Sequence, residues 1–112
     1  MIDRDELAAW LRLLETPQVG RESARRLLAA FGSPEGAIAA STSARRSVVG
    51  AQQAAALAEP PPGFEVLLAS TVAWLDASAD VPHDLITLGD PRYPPRLLDS
   101  PDPPVMLYVQ GR

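Results

Sequence analysis

The sequence lacks several residue types, and each absence excludes a class of function. There is no cysteine, so the chain has no disulfide and no cysteine-based metal site. His83 is the one histidine, which excludes a multi-histidine metal site as well. No apolar run approaches the roughly 20 residues of a membrane-spanning helix, and the acidic N-terminus is unlike a signal peptide. We therefore expect a cytoplasmic protein that uses no metal or cofactor.

Lysine is absent too, so all 10 basic side chains are arginines, and they are unevenly distributed. Residues 1–58 carry seven arginines and six carboxylates, a balance of +1, whereas residues 59–112 carry three and eight, a balance of −5. The net charge of −4 argues against nucleic-acid binding by the whole surface. Any basic face must therefore lie in the first half of the chain.

Apolar residues recur at helical spacing through much of residues 1–80. The two clearest stripes, each at i, i+3, i+4 and i+7, are Leu7, Trp10, Leu11, Leu14 and Ala24, Leu27, Leu28, Phe31. Asp3 is suited to begin the first helix, and Thr16, which precedes a proline, to end it. Gly32 is suited to end the second helix, and Ser33 followed by proline to begin a third.

The segment TPQVGRESARRLLAAFGS has a weaker copy in SARRSVVGAQQAAALAE. In each copy a glycine, Gly20 or Gly50, stands between an apolar residue and the predicted start of a helix. Three prolines and a glycine at 60–63 then precede a last helix at about 64–79, on which Trp74 lies off the apolar stripe. We predict a mostly α fold, with a small helical bundle over residues 1–80 whose first 58 residues form two related helix–turn–helix units.

Residues 81–112 are rich in proline and predict an extended segment with two short strands, at 85–88 and 105–109. Both strands are apolar on both faces, which is typical of a sheet covered on both sides. Two strands alone are marginally stable, so we expect them to belong to a larger sheet whose remainder follows Arg112. We also expect exposed strand edges to pair with a second copy, giving a homo-oligomer.

The sequence gives no case for catalysis, because it shows no nucleophile with a partner base and no glycine-rich phosphate loop. His83 is interpreted as a loop residue rather than a general base. Asp90, Asp99 and Asp102 each stand beside proline or serine, where aspartate commonly begins a turn. We therefore predict a protein that is not an enzyme.

The turns that open helices are the best candidates for binding. Such a turn directs free backbone N–H groups outward, and the helix dipole adds partial positive charge, so phosphate is a suitable ligand. Arg21 and Arg25 are one helical turn apart and could flank one phosphate backbone. The candidate DNA-contacting residues are Gln18, Val19, Gly20, Arg21, Arg25, Arg26, Arg45, Arg46 and Gly50. The alternative interpretation is that these turns serve only packing or protein contact, with Arg45 and Arg46 on a solvated face.

Both turns resemble the helix-hairpin-helix DNA-binding motif, whose turn reads glycine, apolar residue, glycine and precedes a helix with an early alanine. Gln18 replaces the first glycine in one copy and Val48 replaces it in the other. In the motif the glycines let a phosphate approach the backbone closely. These replacements therefore affect that close approach in both copies.

The tail resembles the DNA-processing protein A (DprA, or Smf) family more specifically. The matching positions are Gly89-Asp90, Tyr93-Pro94, Leu97, Asp102-Pro103-Pro104, Leu107-Tyr108 and Gly111. The helical part is similar to that family's N-terminal domain, described as SAM-like or helix-hairpin-helix-like. The resemblance implies an accessory domain at 1–80, and at 81–112 the first strands of a Rossmann-like domain that the chain does not contain.

In that family, the Rossmann-like domain binds single-stranded DNA, dimerises and contacts the recombinase RecA during natural transformation. The resemblance therefore implies that this chain assists DNA binding or partner docking, with single-stranded DNA, RecA and a second copy as partners. It implies a structural role for the tail motif, in which Tyr93 packs onto the domain that it enters. The alternative is a protein-interaction or dimerisation module that makes no DNA contact of its own.

Overall fold

The computed structural model describes residues 3–77 and 83–110, which form seven helices and two strands and confirm the mostly α fold. The elements are α1 Arg4–Glu15, α2 Arg21–Phe31, α3 Pro34–Ala39, α4 Thr42–Arg46, α5 Ala51–Ala56, α6 Phe64–Asp76, β1 His83–Thr87, α7 Pro95–Leu98 and β2 Met106–Gln110. The predicted end of the last helix, at 78–79, lies outside the described residues.

The predicted helix boundaries follow from side chains and glycines that satisfy free backbone groups. Asp3 precedes α1, and its Oδ1 accepts a hydrogen bond from the N–H of Asp5 at 2.7 Å. Ser33 precedes α3, and its Oγ accepts from the N–H of Gly36 at 2.9 Å. Gly32 ends α2 in the left-handed region, at φ +81°, which glycine adopts without steric cost.

The core forms around α1, which contacts α2, α3 and α6. The largest fully buried side chains are Leu7, Leu11, Leu13, Leu27, Leu57 and Val105. Leu13 lies outside the predicted stripe of α1, because that helix is covered by neighbours on more than one side. The same cluster includes Leu85 and Met106, so the core continues across the domain boundary predicted at residue 80.

The two strands form an antiparallel pair, which we call the strand ribbon. Leu85 lies opposite Tyr108, and Thr87 lies opposite Met106. On the face that carries these residues Leu85 and Met106 are buried against the helices, although Tyr108 is 52% exposed. Ile86 and the opposite face are half-exposed. Within residues 3–77 and 83–110 the helices cover one side of the strand ribbon, and the larger sheet expected from the sequence stays a prediction.

Trp74 joins α6 to the strand ribbon. Its indole stacks on the imidazole of His83, with ring centroids 4.4 Å apart and planes 10° apart. The same indole meets the Tyr108 ring edge-on at 5.6 Å. His83, interpreted as a loop residue from the sequence, is instead the first residue of β1, since the stacking contact holds it there.

The connection between β1 and β2 is held by side chains within it. Tyr93 is buried, and its hydroxyl donates to the carbonyl of Pro104 at 2.6 Å. Arg92 forms ion pairs with Asp84 and Asp90, and its hydrogen bonds hold the pKa of both carboxyls below the usual range. Asp90 also accepts from the N–H of Arg92 at 2.8 Å, which confirms the predicted turn.

Candidate nucleic-acid interface

The first hairpin, residues 16–21, joins α1 to α2 and is fixed at two points. Thr16 ends α1, and its carbonyl accepts from the N–H of Val19 at 3.2 Å. The side chain of Val19 is buried in the core. The hairpin is therefore a closed turn in which Thr16 and Val19 are buried, whereas Pro17, Gln18, Gly20 and Arg21 are exposed.

Gln18 has a left-handed backbone, with φ +75°, and is the one non-glycine residue with positive φ in residues 3–77 and 83–110. This is the position at which the helix-hairpin-helix motif has its first glycine. A side chain in this conformation costs about 1 kcal/mol or more. The hairpin thus keeps the backbone that the glycine would favour, although the residue is a glutamine.

Gly20 precedes α2 and leaves the start of that helix open. No heavy atom lies within 4 Å of the place that a Cβ on Gly20 would take. The first N–H to bond back into the helix is that of Ala24, which donates to the carbonyl of Gly20 at 2.9 Å. Within the described residues, the preceding N–H groups of Arg21, Glu22 and Ser23 make no backbone hydrogen bond, so they remain available to an anion.

Arg21 and Arg25 converge on one carboxylate, that of Asp102 in the connection between β1 and β2. Nη1 of Arg25 lies 2.8 Å from Oδ1 of Asp102 and 3.0 Å from the carbonyl oxygen of Pro103. Nη1 of Arg21 lies 3.7 Å from Oδ2 of Asp102 and 3.3 Å from its carbonyl oxygen. The two arginines, which we call the arginine pair, thus reach the same carboxylate.

Two further candidate arginines lie on the surface. Arg26 is exposed and pairs with Glu22 one helical turn away, at 2.7 Å. Arg46 is exposed at the end of α4 and has no ion pair within the part of the chain that the structure describes. Both add positive charge to the exposed surface of the helical bundle.

Arg45 is not on this surface, and its prediction as a phosphate ligand is wrong. Only 2% of the residue is exposed. Its guanidinium donates to the carbonyl oxygens of Ala37, Ile38, Ala40 and Ala54 and to Oγ1 of Thr42. Loss of solvation lowers the pKa of Arg45, and the nearby Arg12 lowers it further. Arg45 therefore satisfies carbonyl groups at the ends of α3 and α5 instead of binding a ligand.

The second hairpin, residues 47–51, differs from the first at both glycine positions. Val48 has no left-handed backbone, so the turn does not reproduce the motif there. Gly50 precedes α5, but the side-chain amide of Gln53 lies against it. The start of this short helix is consequently covered by its own chain.

The sequence alone did not identify Asp102 as a partner of the arginine pair. Asp102 is 77 positions from Arg25 and 81 positions from Arg21 along the chain. Arg12 was missed as well: its Nη2 donates to the carbonyl of Leu57 at 2.7 Å. No group of three acidic or histidine side chains in the described ranges could hold a metal ion. None of the helices found there is long and apolar enough to cross a membrane.

A family model, the DprA-like N-terminal HHH domain, matches residues 4–59, which is half of the chain. The chain belongs to this family. The match spans α1 to α5 and includes both hairpins, whereas α6 and the strand ribbon lie beyond it. No curated protein and no solved structure matches the chain. Membership of the DprA-like family indicates a role in DNA processing.

Proposed function

We propose that this chain assists a DNA-processing protein in holding single-stranded DNA, through phosphate contacts at the first hairpin. The observation that carries the proposal is the left-handed backbone of Gln18 followed by an unobstructed Gly20. This geometry is what the family's hairpin needs if a phosphate is to approach the backbone. The second hairpin, covered by Gln53, takes no part.

The residues have distinct roles in this proposal. The N–H groups at the start of α2 bind one phosphate oxygen, and Arg21 and Arg25 flank the same backbone. Arg26 and Arg46 contribute long-range attraction, which salt screens. Because the chain carries a net charge of −4, we expect weak binding that depends strongly on salt.

The wider role follows from the family and remains part of the proposal. We infer a cytoplasmic protein that binds single-stranded DNA and passes it to RecA in recombination or natural transformation. Its contribution is binding and positioning rather than catalysis. The resemblance of the tail to the segment that leads into a Rossmann-like domain supports this inference.

Fluorescence anisotropy of a labelled oligo(dT) over a salt series tests the proposal. Each phosphate contact on a single strand contributes about −0.7 to the slope of log K against log salt, so two or three contacts predict a slope of about −2. Changing Arg21 and Arg25 together to alanine should abolish this binding.

The matched control changes Arg4 and Arg96 to alanine, which removes the same charge from two exposed positions outside the hairpin. This variant should retain most of the affinity. Equal losses in both double variants would show a general charge effect, and no binding by the unchanged chain would overturn the proposal.

A second candidate function is protein docking through the strand ribbon. Tyr108 is 52% exposed, and within the described residues the sheet has two strands, so each strand has one edge that pairs with no third strand. Such edges invite pairing with another strand. Analytical ultracentrifugation should then detect a dimer as concentration rises, and a monomer throughout would argue against this function.

A further inference from the structure

We propose that the Asp102 segment, residues 99–104, competes with DNA phosphate for the arginine pair, so that DNA binds by displacing it. The inference rests on the proposed function and adds its regulation. The carboxylate and carbonyl oxygens of Asp102 stand where oxygens of a phosphate would lie. The segment is thus a built-in competitor for the first hairpin.

The exposure of the two arginines shows that one of them is blocked. The side chain of Arg21 is 53% exposed, whereas that of Arg25 is 22% exposed. The contacts of Arg25 that involve the segment are those to Asp102 and to the carbonyl of Pro103. A phosphate that pairs fully with Arg25 therefore requires the segment to move away.

The segment is built so that it can move without unfolding its surroundings. Three of its six residues are prolines, which have no N–H to anchor them. The N–H of Asp102 donates only to the hydroxyl of Ser100, at 3.2 Å, which lies within the same segment. Beyond this local bond, the contacts of the arginine pair hold the middle of the segment.

Both ends of the segment are fixed, which keeps the competitor close. At one end the N–H of Ser100 donates to the carbonyl of Leu97 at 3.2 Å. At the other, Pro104 accepts from the Tyr93 hydroxyl and Val105 is buried. A short tether between fixed points gives the carboxylate a high effective concentration at the arginine pair.

The two binding events are therefore linked in both directions. DNA at the first hairpin loosens the Asp102 segment, and any change that withdraws the segment raises the affinity for DNA by the same factor. The connection between β1 and β2 thus controls access to a site on the helical bundle.

Asp102→Asn tests this coupling against a matched control, Asp99→Asn. Both changes remove one negative charge from the same exposed segment, but only Asp102 pairs with the arginines. At low salt we expect Asp102→Asn to bind oligo(dT) about fivefold more tightly, and Asp99→Asn less than about twofold, from the range known for exposed ion pairs. The difference should shrink as salt screens the ion pairs.

The outcomes separate this inference from the proposed function. If both variants bind as the unchanged chain does, and the Arg21 and Arg25 double variant does not, the competition is wrong and the DNA site stands. If no variant binds DNA, both are wrong.

A measurement without DNA tests the contact itself. The NMR signals of the guanidinium Nε–H groups of Arg21 and Arg25 should shift in Asp102→Asn and stay in place in Asp99→Asn. Unchanged signals in both variants would overturn the inference.

Discussion

The two hairpins arise from similar sequence segments, yet the chain uses them in opposite ways. At the first, Gln18 takes the left-handed backbone and Gly20 is open. At the second, Gln53 covers Gly50 and the preceding Arg45 points into the core. One unit presents donors to solvent, and the other uses the same kinds of donor to satisfy its own carbonyl groups.

The difference shows that a basic residue beside a hairpin does not by itself indicate a nucleic-acid contact. The helices on either side of the second hairpin, α4 and α5, are short. Many of their carbonyl groups therefore have no hydrogen-bond partner within the helix. Arg45 supplies five donors in a fixed plane and satisfies several of these groups at once. The second unit therefore needs its arginine for folding, which leaves the first unit free for binding.

The largest expected effect comes from removing the buried guanidinium. Arg45→Ala should lower the free energy of unfolding by about 3 kcal/mol or more, because several buried carbonyl groups lose their donor. Arg46→Ala, at the adjacent exposed position, should change it by less than about 0.5 kcal/mol. Urea denaturation of both variants makes the comparison, and equal values would show that Arg45 does not hold the second unit.

Alanine at each hairpin glycine should separate binding from folding. In Gly20→Ala the new Cβ meets open space, so stability should hold, but the methyl group obstructs a phosphate and affinity for oligo(dT) should fall roughly tenfold, about 1.4 kcal/mol. In Gly50→Ala the Cβ meets the flexible side chain of Gln53, and affinity should not change. A loss of affinity in Gly50→Ala alone would assign the DNA contact to the second hairpin.

Glycine at the two replaced positions should have opposite effects on stability. Gln18→Gly relieves a left-handed side chain and should stabilise by about 0.5 kcal/mol, after the entropy cost of glycine. Val48→Gly removes half-buried methyl groups at an ordinary backbone and should destabilise by about 1–2 kcal/mol. Thermal unfolding measures the change in stability of both variants. A change of the same sign in the two would contradict the difference in backbone conformation between Gln18 and Val48.

The smallest effect concerns acid and the ion pairs of Arg92 beside the strand ribbon. Arg92 holds the pKa of Asp84 and Asp90 below the usual range. A carboxyl whose folded pKa is lowered stabilises the fold above its unfolded pKa, near 3.9, and loses this contribution as pH falls through the lower folded value. Asp84→Asn should therefore flatten the decline of the urea midpoint below about pH 4, and an unchanged decline would contradict this role of the Arg92 ion pair.

The sequence predicted the elements that depend on local chemistry. The helix ends at Asp3, Gly32 and Ser33 depend on backbone groups only a few residues away. The local sequence is therefore enough to predict them. The i, i+4 spacing of Arg21 and Arg25 likewise places both on one face of α2. These features require no knowledge of what packs against them.

The features that the sequence did not predict depend on distant partners. Arg45 is buried where carbonyl groups at the ends of two other helices, α3 and α5, surround it, and Asp102 approaches Arg25 across 77 residues. His83 joins β1 because Trp74 supplies a stacking surface. The backbone of Gln18 is left-handed although glutamine rarely favours that region, so only the hairpin as a whole reveals it.

The placement of the two tryptophans gives the chain separate optical reporters. Trp10 lies in the helical core, and within the described residues its indole N–H has no partner. Trp74 lies where α6 meets β1, flat against an imidazole. Emission from Trp10 therefore follows the melting of the bundle, while Trp74 follows the separation of α6 from β1. Replacing either tryptophan with phenylalanine would leave the emission of the other. The order in which the helical bundle melts and α6 separates from β1 can then be observed directly.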